Sequence, residues 1–196
     1  MKTFMAAGIG VALIAAVTGR PGRAQQAPAD GPRYASATEL ARPTDYREWI
    51  FVTSGLGMTY GPAANAQPTP RFDNVFVNPS SYRSFMQTGK WPEKTVFVLE
   101  IRSSDSEASI NKAGRFQTNL SALEVEVKDT ERFPDGWAYF NFGGGDGLKD
   151  SVAPLPKTAT CYECHSTNTA VEHTFVQFYP TLLDVARRMG TIKPTY

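Results

Sequence analysis

Residues 158–168 read TATCYECHSTN and hold both cysteines of the chain and one of its two histidines. Cys161 and Cys164 with two residues between them, and His165 directly after, form the attachment pattern of c-type haem. The spacing has a mechanical reason. Each thiol adds across one haem vinyl group to form a thioether, and the adjacent histidine then lies under the iron as its proximal ligand. A structural zinc site wants four ligands, and beyond this trio only His173 is close enough in sequence to join. A disulfide over so short a span belongs to a thioredoxin-like βαβ context, which the sequence lacks. The reading taken is one covalent haem c per chain, held by Cys161, Cys164 and His165.

An electron-carrying cytochrome closes the sixth iron position with Met or His. Met86 falls in an amphipathic stretch with Tyr82 and Phe85, where methionine packs as core, and Met189 stands beside a helix-ending glycine. Met58, in a glycine-rich turn, is the freest to reach iron. His173 is too near His165 to fold to the opposite haem face. The motif lies in the last fifth of 196 residues, whereas the commonest small electron carriers place it early and find methionine downstream. The expectation is five-coordinate iron with an apolar distal pocket, open to a small ligand.

The chain opens with Lys2, an apolar stretch from Phe4 to Val17, and small residues before Gln25. That stretch is shorter than the ~20 residues a membrane span needs and has the length of a signal-peptide core. Residues 1–24 are therefore expected to be a signal peptide, with no membrane anchor after cleavage. Residues 25–43, rich in Ala, Pro, Gln and Asp, are expected to be a flexible arm, and 44–196 the haem domain. Export to the periplasm suits covalent haem. Lys plus Arg is 20 and Asp plus Glu 19, a net charge of +1, which offers no field to gather nucleic acid.

Along the mature chain, 43–56 has Tyr46, Trp49, Ile50 and Val52 at helical spacing and is expected to be a helix. Residues 71–79 alternate as a strand with Phe72 and Phe76 on one face, and 79–90 form a short helix. In 94–104, Phe97, Leu99 and Ile101 share a face. In 122–129, Leu123, Val125 and Val127 point inward while Glu124, Glu126 and Lys128 point to water. Residues 136–145 form an aromatic strand running into a glycine break. Those glycines (141–147) lack the following helix and the Lys-Ser/Thr pair of a phosphate loop. Residues 173–190 read as a closing helix with a break at Pro180. Four strands with helices around them give an α+β domain, a mostly antiparallel sheet with flanking helices.

The blocks DYREWIFV, FVNPSSYRSFMQTGKWPEKTVFVLEI, LEVEVKDTERFPDGWAYFNF, TATCYECHSTN and FVQFYP resemble, in order, the cytochrome P-460 family and its cytochrome c′-beta branch. The resemblance implies a homodimer, His165 as proximal ligand and an open or side-chain-capped distal face. Cytochromes P-460 proper oxidise hydroxylamine and tie a strand lysine to the haem ring. Here Leu99 holds that position, so the cross-link cannot form there, and rescue by Lys90 or Lys94 would need a slipped register. The departure resembles cytochrome c′-beta, whose iron is covered by apolar side chains, and makes Phe72 with Leu99 the candidate cap. On this reading the protein binds NO or CO in nitrogen-oxide handling, with a redox-partner cytochrome as a further possible partner. Polar groups on the ligand side would count against it. The alternatives are oxidation of hydroxylamine or a related compound, for which Glu100, Glu163 and Asp146 are the carboxylates considered, and plain electron transfer.

Overall fold

Residues 94–104 and 122–129 are dense in β-branched and apolar side chains, which suit an extended backbone packed on both faces. The computed structural model describes residues 29–60 and 69–196, and there these stretches form the middle of a five-stranded sheet. Its elements in chain order are β1 (Leu40–Ala41), β2 (Ile50–Leu56), β3 (Phe72–Val77), α1 (Pro79–Thr88), β4 (Val96–Asp105), β5 (Phe116–Lys128), β6 (Trp137–Asn141), β7 (Ser151–Val152), α2 (Thr160–Thr167) and α3 (Pro180–Met189). Strands β2 to β6 are neighbours in sequence order and antiparallel throughout, and β1 pairs with β7 in a separate ribbon. The fold is α+β, as expected. Residues 1–28, which include the expected signal peptide, and residues 61–68 lie outside the described residues.

Two apolar layers hold the sheet between them. On one face Val96, Val98, Leu123, Val125, Val127 and Phe140 pack with Leu40, Tyr46 and Trp49. On the other, Val77, Phe97 and Trp137 meet Phe85 of α1 and Leu182, Val185 and Ala186 of α3. Fully burying one such aliphatic or aromatic side chain stabilises the fold by ~1.5–3 kcal/mol. Buried Glu100 is closed by the Tyr46 hydroxyl, Arg47, Arg102 and Asn74, which pin the segment before β2 to the sheet. Among the described residues no helix is long and apolar enough to cross a membrane.

Three expectations are corrected. Residues 43–56 are not a helix: a 3-10 turn at Tyr46–Glu48 is followed by the edge strand β2, which supplies the fifth strand. A bulge between Phe51 and Thr53 breaks the period-two pattern there, so the apolar spacing imitates a helical one. Residues 29–43 are not a loose arm. Leu40 is 1% exposed, the Tyr34 hydroxyl donates to Asp129 at 2.8 Å, and Asp30 accepts from the Ser80 backbone N–H and hydroxyl. The closing helix begins only at Pro180, which fits the first helical position because it has no N–H to satisfy. It ends at Gly190 in the left-handed region, and a separate 3-10 turn spans Val176–Phe178.

Candidate functional site

Helix α2 carries the cysteines three residues apart, a spacing that sets both on one side of a helix. Both are free thiols and half-buried. Burial pushes the Cys161 thiol above its usual range, and the negative charge of Glu124 adds to this. His165 follows on the same helix, its ring between Tyr139 and Phe175 at centroid distances of 4.5 and 4.6 Å. Its Nδ1 stands 2.7 Å from the carbonyl oxygen of His173, to which an N–H there donates. That bond fixes the tautomer and leaves Nε2 as the nitrogen available to iron. His173, read from sequence as a polar residue near a helix start, thus serves through its backbone. Its ring lies over Trp137, 6.0 Å away.

The sheet face beneath this helix is ordered in rungs by the register. Val77, Phe97, Glu126 and Tyr139 form one rung, and His165 touches it. One step along the strands, Val75, Leu99, Glu124 and Asn141 form the next, and beyond it come Asp73, Ile101 and Ala122. Successive rungs are two residues, or ~7 Å, apart. Leu99 is half-buried, with Val75 on one side and Glu124 directly opposite on the other.

Phe72 does not join this site. It pairs with Arg102 and Leu56 and shares its face with Asn74 and Phe76, the face opposite to Leu99, because side chains alternate along a strand. The expected Phe72–Leu99 cap is therefore corrected. So is the outward placing of Glu124 and Glu126: Glu126 is buried and Glu124 half-buried, since helices cover the second face of β5 as well as the first. The sheet face around Leu99 is mixed, with the Glu124 carboxylate directly opposite. Burial raises both carboxyls, partly offset by His165. Burial also pushes Asp73 to about 6, opposed by Arg71 and helped by Glu124. Burial alone would lower His165, but the Glu126 charge beside it turns the net shift upward.

The carboxylates considered from sequence lie elsewhere. Glu163 and Asp146 are exposed, and Glu100 faces the opposite side of the sheet. No hydrophobic pattern distinguishes a strand carboxylate under a helix from one in water, and the charge of Glu124 and Glu126 hid them. Met86 packs against the α1–α3 core. Met58 folds back on Gly55, beside Asp73 and the Tyr60 hydroxyl, on the same sheet face as Leu99. Lys94 is bound to Asp129 and Glu131 at 2.6 and 2.8 Å, and Lys90 is exposed. Among the described residues no group of three or more His, Cys, Asp and Glu side chains is arranged to hold a metal ion.

The residues present fit a covalently held haem. Two unbridged thiols share one side of a helix, the adjacent imidazole is oriented through its distant nitrogen, and the Glu126 Oε1 and Tyr139 hydroxyl beside it are buried with no partner. A family model described as Cytochrome P460 matches residues 43–176, most of the chain and all of the site. No curated protein matches the chain.

Proposed function

The chain belongs to the cytochrome P460 family, which implies a haem cofactor, and from that premise we propose an exported, periplasmic haem c protein that carries out redox chemistry on a small nitrogen compound such as hydroxylamine. Cys161 and Cys164 would hold the haem through thioethers and His165 through Nε2. When bound, the haem would supply a redox-active iron able to take a small ligand. The remaining roles belong to the chain. Tyr139 and Phe175 fix the imidazole plane. Val75, Leu99 and Ile101 exclude water from the neighbouring rungs.

The observation that carries the reading is Glu124, directly across the sheet from Leu99. Burial raises the Glu124 carboxyl, which makes it a stronger base toward a bound N–H or O–H. Oxidation of hydroxylamine requires such a step, and an apolar gas pocket does not. Leu99 cannot form the lysine cross-link, so the group held here would be an ordinary haem c.

The test is anaerobic turnover of hydroxylamine by the purified holoprotein with an artificial electron acceptor. Turnover that falls about 100-fold in Glu124→Gln supports the reading, a loss in the usual range for a missing general base. A second reading, NO binding without turnover, is favoured by the apolar Val75, Leu99 and Ile101. It takes over if hydroxylamine is not consumed while NO binds the wild type and Glu124→Gln alike.

A further inference from the structure

Glu126 lies in the middle of β5 and is 9% exposed. Its Oε1 stands 3.4 Å from His165 Nδ1, yet that oxygen is buried without a hydrogen-bond partner, as is the hydroxyl of its cross-strand neighbour Tyr139. A buried carboxylate oxygen left without a partner is costly. Packing alone would favour an apolar residue here, as at Val125 and Val127 on the other face. Satisfying the imidazole does not require Glu126 either, because the His173 carbonyl already closes Nδ1 at 2.7 Å. What the carboxylate adds is negative charge and a second acceptor directly behind the nitrogen that carries the ring proton.

We propose that Glu126 is a positioning residue that sets the electron-donor strength of His165. Negative charge 3.4 Å behind Nδ1 makes Nε2 the stronger donor and so favours the oxidised iron, the effect expected of a carboxylate behind a metal-bound imidazole. Glu124 lies one rung away on the same face of β5, so on the reading above the two carboxylates would divide between proton handling and tuning of the metal. This inference rests on the haem reading above.

The experiment is an equilibrium redox titration of the holoprotein followed by absorption, with the Fe(II)–His stretch read by resonance Raman. Glu126→Gln preserves shape and removes the charge. Its midpoint rises by at least 59 mV, which is a tenfold shift in the oxidised-to-reduced ratio at a fixed potential, and the Fe–His stretch falls. Glu163→Gln removes a charge from the exposed side of α2 and shifts that ratio less than twofold. Glu126→Asp keeps the charge but draws it back from Nδ1, so its midpoint rises too, by less than that of Glu126→Gln, which keeps the proposal testable if Glu126→Gln does not hold haem. Haem-loaded wild type and Glu126→Gln within twofold of each other overturn the inference alone, as does an unmoved Glu126→Asp where Glu126→Gln is lost. Wild-type protein whose mass shows no covalent haem overturns the haem reading and this inference with it.

Discussion

At the scale of single residues, the site is defined by charges held where burial opposes them. Asp73, on the rung beyond Leu99, has its carboxyl pushed to about 6 from 3.8. The folded state therefore holds this proton more tightly than the unfolded chain, and between those two pH values stability falls as pH rises. Above pH 6 the cost is fully present. Asp73→Asn is expected to raise the unfolding free energy by about 1 kcal/mol at pH 7.5, after allowance for solvent screening of a half-buried group, and to leave it nearly unchanged at pH 3.5. Urea unfolding at the two pH values checks this, and an equal effect at both would show that the carboxyl is not raised. Such groups were not legible in the sequence. The alternation in 122–129 correctly groups Leu123, Val125 and Val127 against Glu124, Glu126 and Lys128, but grouping residues on a face does not say whether that face is covered. By contrast, Cys161, Cys164 and His165 were readable because their chemistry is written in local spacing alone.

At the scale of elements, what the sequence reveals depends on whether an element keeps one period. Strands β3, β4 and β6 and helix α1 keep theirs and lie where their patterns put them. Strand β2 loses its period at the bulge beside Val52 and was read as a helix, and the segment before α3 was joined to it across Tyr179–Pro180. The glycine run after β6 is informative for a different reason. Gly144 has an extended backbone that any residue adopts, but a Cβ there would overlap the carbonyl of Ser121 in β5. Gly147 has open space around it and no left-handed backbone. Gly144→Ala is therefore expected to destabilise the protein by about 3 kcal/mol, at the upper end for forced overpacking, while Gly147→Ala stays within ~0.5 kcal/mol as an ordinary surface change. Thermal unfolding of the two variants compares them directly, and equal losses would show that the strand and the glycine run are not in contact.

At the scale of the whole molecule, the sheet needs a cover on each face, and the two covers have different origins. The face bearing the site is closed by α1, α2 and α3 and by residues 170–179, all drawn from sequence on either side of the motif. The other is closed in part by the stretch from residue 29 to Trp49, much of which precedes the segment the family model matches. Within it Leu40 fills the core, Tyr34 reaches Asp129, and Arg42 bonds the Lys149 carbonyl and Asp150 at 2.9 and 2.8 Å. Its Ala- and Pro-rich composition concealed this, because a few well-placed side chains anchor it without any periodic pattern. Removing residues 29–42 gives up Leu40 burial, worth ~1.5–3 kcal/mol, and the Tyr34 hydrogen bond, worth about 1 kcal/mol. The truncated holoprotein is expected to unfold at lower urea, with a loss of ~2.5–4 kcal/mol in stability from these two contributions. It should keep its covalent haem and its reduced spectrum, because the bonds named for this stretch all lie away from α2. Loss of the haem spectrum at urea concentrations where the sheet is still folded would show instead that the stretch supports the site, and an unchanged urea midpoint would show that it closes nothing.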